Sequence, residues 1–112
     1  MSTIRLNSYR IMWLFIMFDL PTETKKQKKE AASFRKNLEK DGFMMFQYSV
    51  YLRYCASLEV ASLHINRIRN LIPNEGSVSI LQITDKQYSN IINIEGAIEK
   101  KVKRIPLQLE IF

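Results

Sequence analysis

An α+β fold, in which an antiparallel sheet carries its helices on one face, is predicted from three observations on this 112-residue sequence. Residues 11–18, IMWLFIMF, are a continuous apolar run of strand length,. Two longer segments, opening at Thr24 and Ser57, repeat their apolar residues at helical spacing,. The stretches 43–54 and 77–84 are rich in aromatic and β-branched residues, as strands are,. In order these read strand, helix, two strands, helix, strand, which is the ferredoxin-like βαββαβ arrangement of a four-stranded antiparallel sheet with two helices on one face. A chain this short holds one core.

Each element follows from its residues. The run Ile11 to Phe18 lacks alternation, so it suits a central strand covered on both faces or buried at a subunit contact,. Pro21 and Thr22 punctuate the chain, and Thr24 with Gln27 has the spacing of a capping box that starts the first helix,. Gln27, Ala31, Phe34 and Leu38 fall on one side of that helix, and Lys25, Lys29, Lys36 and Lys40 on the other,. Gly42 stands where a left-handed residue ends a helix,.

Within residues 43–54, Phe46, Tyr48, Val50, Leu52 and Tyr54 alternate with Gln47, Ser49, Tyr51 and Arg53,. That segment predicts two strands joined by a tight bend or bulge near Gln47. Ser57 caps the second helix, whose apolar face is expected to be Leu58, Ala61, Ile65, Ile68 and Ile72, with Pro73 marking the exit,. His64 falls on the flank as a boundary residue.

The final part is less regular. Residues 91–104 keep no clean period, because Gly96 and the basic run Lys100, Lys101, Lys103 and Arg104 interrupt Ile91, Ile92, Ile94 and Ile98,. Ile105, Leu107, Leu109 and Ile111 then alternate with Pro106, Gln108, Glu110 and Phe112, the pattern of an edge strand that tolerates proline,. The chain thus divides into a ferredoxin-like domain over 1–90 and a C-terminal extension over 91–112, whose strand suits a subunit contact.

Seventeen Lys and Arg against 11 Asp and Glu leave a net charge of +6, which favours phosphate-bearing partners,. With Cys55 as its only cysteine the chain forms no internal disulfide, and the thiol reads as a small residue closing a strand,. The apolar run after Arg5 and Arg10 lacks a cleavage site and is far shorter than the roughly 20 residues that span a bilayer,. A cytoplasmic protein without a membrane partner is expected.

Asp19, directly after the first strand, is the candidate metal ligand, since magnesium commonly takes only one or two carboxylates and keeps several waters,. An aspartate before Pro21-Thr22 also serves as a turn or capping residue, and position alone leaves both readings open,. Two-metal hydrolysis needs several carboxylates; a symmetric dimer would supply a second Asp19. One histidine and three glycines exclude a catalytic triad and a glycine-rich phosphate loop,. The basic residues on the first helix, together with Arg53, Arg67 and Arg69 and the run from Lys100 to Arg104, suit a nucleic-acid surface, although any single lysine is ordinarily just solvated,.

An ordered set of short motifs carries a family resemblance: Phe18-Asp19-Leu20-Pro21-Thr22, Phe34-Arg35, Asp41-Gly42-Phe43, Gln47-Tyr48-Ser49-Val50-Tyr51 and Ile83-Thr84-Asp85-Lys86-Gln87-Tyr88. Together they resemble the CRISPR-associated protein Cas2 family in its type II-like version. The resemblance implies a homodimer that bridges the CRISPR integrase and duplex DNA during spacer acquisition, the integrase performing the chemistry. It also implies a magnesium-dependent endonuclease acting on RNA or duplex DNA, with manganese as substitute and Asp19 as catalytic and metal residue. Lys25, Lys29, Arg35, Lys36 and Lys40 are the expected nucleic-acid contacts; Arg35 and Phe43 match helix and strand positions of the family motif suited to dimer packing or backbone contact. A toxin-like ribonuclease similar to virulence-associated protein D is the alternative.

Overall fold

A strand that is apolar on both sides must be covered on both sides, and the computed structural model, which describes residues 11–102, is arranged around that demand,. Strand β1 (Met12–Asp19) pairs antiparallel with β3 (Val50–Cys55) along one edge and with β4 (Ser77–Thr84) along the other. Strand β2 (Met44–Gln47) continues the sheet beyond β3, so the order is β2-β3-β1-β4. Helices α1 (Lys25–Lys40) and α2 (Leu58–Arg69) complete the expected ferredoxin-like βαββαβ order. The strand expected over 105–112, with Lys103 and Arg104, lies outside the described residues.

Alternation along β1 divides the core in two. Met12, Leu14, Ile16 and Phe18 pack with Phe34 and Leu38 of α1, Ala61 and Ile68 of α2, and Tyr51 of β3. Trp13 and Phe15 point the other way, into a second cluster with Leu52 and Tyr88. Leu14 and Ile16 are fully buried; at roughly 25 cal/mol per Å² of apolar area removed from water, the two-sided cover of β1 is a leading stabilising term,.

Both ends of α1 are fixed locally. Thr24 Oγ1 accepts from the Gln27 N–H, and the Gln27 side chain accepts from the Thr24 N–H, so the expected capping box is present,. At the other end Gly42 adopts φ +89°; its N–H donates to Glu39 O while the Phe43 N–H donates to Leu38 O. This is a Schellman closure. Phe43 thereby turns into the core of its own chain. The bend expected near Gln47 is also found: the β2–β3 register slips between Met45 and Gln47, and Tyr48-Ser49 form the turn, with Ser49 at φ +63°.

Helix α2 keeps Ala61, Ile65 and Ile68 on its expected face and departs from expectation at His64, Leu58 and Ile72. Ala61, His64 and Ile68 are its buried residues, whereas Leu58 is exposed, and Ile72, also exposed, lies beyond the Asn70 cap. The correction at His64 has a cause distant in sequence. Asp41, at the C-cap of α1, sets one carboxylate oxygen 2.6 Å from His64 Nδ1 and accepts from Arg67 Nη1 with the other at 3.0 Å. A histidine with that partner can be 4% exposed without leaving its polar atom unmet,. Arg53 adds a third tie, donating to Asp41 O and Tyr54 O, and occupies the space where a side chain at Gly42 would project.

Beyond β4 stands a helix that the sequence does not predict, α3 (Asp85–Ser89), started by a second capping box between Thr84 and Gln87. Tyr88 stacks on Trp13 at 3.8 Å, and Trp13 Nε1 donates to Asp85 Oδ1 at 2.8 Å, so α3 closes over the second face of β1. Of the irregular stretch that follows, β5 (Asn93–Glu95) and β6 (Ile98–Lys100) form a hairpin around Gly96. Cys55 closes β3 fully buried, and that burial pushes its thiol pKa up against the opposing pull of Arg53. Among the described residues no helix is long and apolar enough to cross a membrane.

The Asp41 carboxylate serves two partners at once, one of them buried. Asp41→Ala should lower unfolding stability by about 1–3 kcal/mol, measured by urea denaturation, because His64 is left buried without its acceptor. An unchanged midpoint would mean that the α1–α2 contact does not depend on this ion cluster.

Candidate functional site

Asp19 is the last residue of β1, and its exposed side chain is displayed by a rigid backbone. Ser77 is its ladder partner on β4. On the other edge the β1–β3 pairing runs to Met17 opposite Val50, and continuing that register sets Tyr48 across from Asp19. The Phe18 N–H donates to Ser49 O at 3.0 Å, which holds the turn against the strand end.

The loop before β4 supports Asp19 from below. Gly76 has φ +92°, and a Cβ there would lie 2.6 Å from Asp19 O and 2.9 Å from Leu20 Cδ2, so only glycine permits this approach,. Gln27 Nε2 donates to Glu75 Oε2 at 2.6 Å, joining the start of α1 to the same loop. Thr24 is the cap of α1. The capping reading of Asp19 is therefore set aside, and among the described residues its carboxylate accepts no hydrogen bond.

As a donor set, this end of the sheet offers one hard carboxylate per chain. No group of three or more His, Cys, Asp or Glu gathers among the described residues. Asp19 suits magnesium as a single protein ligand among waters, and a fuller set of carboxylates requires another molecule.

The basic residues separate into two kinds. Lys25, Lys29, Lys36 and Lys40 are exposed along α1, joined by Lys26 and Lys28, which the stripe did not include. Lysines in the first turn face the positive end of the helix dipole, where acidic residues would be stabilising, and that turn has none,. Arg53 and Arg67, in contrast, are engaged with Asp41, and Lys100 pairs with Glu95 at 3.1 Å.

Arg35 stands apart from the lysines. Its guanidinium lies against the rings of Phe18 and Tyr48, with the carbon 5.8 and 5.4 Å from their centroids. Arg35 Nη2 donates to the Tyr48 hydroxyl at 3.3 Å, while its Nε is buried and makes no hydrogen bond. Tyr48, Ser77 and Gly76 escaped the sequence reading as neighbours of Asp19, since only strand register brings them there. The Gln47-Tyr48-Ser49 segment was visible as a motif, without a place.

Several known proteins are similar to this chain. The family profile of CRISPR associated protein Cas2 matches residues 12–91. A protein of Flavobacterium psychrophilum is 48% identical over 108 residues, spanning 96% of this chain and 94% of that protein. One from Parvibaculum lavamentivorans is 46% identical, spanning 90% of this chain and all of the other. Both are named CRISPR-associated endoribonuclease Cas2. A solved structure described as a crystal structure of cas2 shares the fold, with a TM-score of 0.55 at 18% identity over 86% of this chain and 99% of that one. These matches favour the Cas2 resemblance over the toxin-like alternative.

The close approach at Gly76 yields a direct test. Gly76→Ala should lower stability by about 1–3 kcal/mol, through positive φ and collision with Asp19 O, as read from the thermal midpoint,. In an NMR spectrum the largest amide shifts should fall at residues 18–20; shifts confined to the loop itself would refute the contact.

Proposed function

The chain belongs to the CRISPR-associated protein Cas2 family, and on that premise we propose that it is a homodimeric, duplex-DNA-holding protein of CRISPR adaptation, working in the cytoplasm beside the CRISPR integrase in spacer acquisition. One observation carries the reading: Lys25, Lys26, Lys28 and Lys29 crowd the positive end of α1. For folding that placement is unfavourable, because the dipole and four ammonium groups repel. For a phosphate backbone it is favourable, since helix amides and ammonium groups all attract the same anion. Lys36 and Lys40 extend the track toward the far end of the helix.

Pairing of two copies is supported by what β1 and β4 leave bare. Met17 and Leu81 are exposed on the sheet face away from α1 and α2, beyond the part that α3 covers. Joining two such faces would bury this apolar surface and set a second Asp19 within the same assembly.

A second reading, phosphodiester cleavage, rests on the exposed carboxylate of Asp19 and on the endoribonuclease names of the relatives. Asp19 would hold magnesium or manganese through its carboxylate oxygens. A bound ion of this kind supplies charge stabilisation at the phosphoryl oxygens and a more acidic water. The chain's own part is to fix that carboxylate on a buried strand, keep it free of internal hydrogen bonds, and hold the backbone phosphates with the α1 lysines.

The α1 lysines serve both readings and are tested first. Replacing Lys25, Lys29, Lys36 and Lys40 with Glu should abolish duplex retention, and wild-type affinity should fall steeply with salt, by a log–log slope of about −0.9 for each phosphate contact. Lys25→Glu alone should raise the urea midpoint slightly while weakening binding, because it relieves the repulsion at the helix end. Duplex binding that survives all four replacements removes α1 from the reading.

Asp19→Ala should abolish magnesium-dependent cleavage of RNA or DNA while leaving co-purification with the integrase and spacer integration intact. Cleavage by the alanine variant at the wild-type rate ends the enzyme reading; loss of integration shows that Asp19 matters to the scaffold.

A further inference from the structure

A lone carboxylate that meets magnesium leaves most of the ion's shell to water, so any further grip comes from polar groups that hold those waters. Around Asp19 few such groups are at hand. The Asp19 carbonyl is closed off by Gly76, where a Cβ would lie 2.6 Å from it. On the β3 side the Tyr48 hydroxyl is taken up by Arg35 Nη2 at 3.3 Å. The side that remains is β4.

There Ser77 is the antiparallel ladder partner of Asp19. Directly opposed residues point to the same face of a sheet with Cβ atoms about 4.5–5.5 Å apart, close enough to share a water. That face is the one away from α1 and α2, because Phe18, next to Asp19, packs under the helices,. Both side chains are exposed, and among the described residues neither makes a hydrogen bond, to the other or elsewhere. The hydroxyl thus keeps its full capacity beside an unengaged carboxylate. Its backbone is also fixed: Gly76 lies against Asp19 O and Leu20, and Glu75 accepts from Gln27 Nε2. Ser79 shares the face but stands opposite Met17, by the exposed apolar surface rather than the carboxylate.

We propose that Ser77 is a positioning residue for the divalent ion of Asp19, its hydroxyl hydrogen-bonding a water of that ion's shell. The proposal rests on the cleavage reading above, in which Asp19 is the metal ligand, and adds a residue to it. Ser77 acts through water and touches neither the ion nor the phosphate. Because the serine and the aspartate belong to one chain, each protomer carries its own outer contact, whatever a second copy contributes.

The test uses the full chain with manganese(II) alone, no nucleic acid present, and follows loss of the free-ion signal by electron paramagnetic resonance. Wild-type protein should bind the ion and Asp19→Ala should not. Ser77→Thr and Ser77→Val place side chains of the same shape there and differ in the hydroxyl, so a merely structural role would not separate them. Ser77→Thr should keep wild-type affinity, while Ser77→Val should weaken it about tenfold, the lower end of what loss of an outer-shell partner costs. Ser79→Ala should bind as wild type does. Equal affinity of Ser77→Thr and Ser77→Val, or a loss in Ser79→Ala as large as that in Ser77→Val, overturns the role of Ser77 and leaves the Asp19 reading standing. Wild-type protein that binds no manganese, or binding that survives in Asp19→Ala, overturns both.

Discussion

The two-sided burial of β1 is the constraint on which the remaining structure depends. A strand of eight residues with side chains packed above and below cannot lie at an edge, and both its edges are accordingly hydrogen-bonded. α1 and α2 exist as cover for Leu14, Ile16 and Phe18, and α3 as cover for Trp13 and Phe15. The strand order follows from the same demand, because β3 and β4 must flank β1 before anything else is placed.

The proposed site lies where that constraint ends. At Asp19 the apolar run stops, and the strand passes from the core to solvent within one residue. The neighbours of Asp19 come from three separate connections: the β2–β3 turn, the loop before β4, and the segment leading into α1. Each is fastened without a salt bridge to Asp19. The carboxylate is left unengaged while its main chain is immobilised. Clusters that hold helices together, such as Asp41 with His64 and Arg67, have the opposite character, with every charge near a partner.

Much of this was legible in the residues because much of it is local. Thr24 and Gln27 announce α1, Gly42 its end, and the limits of β4 follow from composition and flanking turns. Thr84 and Gln87 carry the same spacing as Thr24 and Gln27, so α3 was visible in principle; its five residues are too few to show a helical period,. His64 was read as a flank residue because its burial is decided by Asp41, 23 positions earlier, and no helical wheel contains that carboxylate. Ile72 was expected on the α2 face because the exit was placed at Pro73, whereas the cap at Asn70 ends the helix sooner. The lysine stripe is an exposed face of α1, and its tension with the helix dipole follows from the same Thr24 cap,.

The central place of β1 also shapes how the chain must fold. Its ladder partners lie far away along the sequence, Met12 facing Thr84 and Asp19 facing Ser77. The most apolar segment is thus made early and completed late, with most of the domain needed before its second edge is paired. Pairings of such high separation close slowly, since loop entropy is lost before the contact is gained. A bare strand of this composition, without proline or charge before Asp19, is a template for pairing with other chains while it waits,. Asp19, the proposed metal residue at the end of the strand, is also its first charge, so it stands as gatekeeper to a segment that would otherwise associate before it folds.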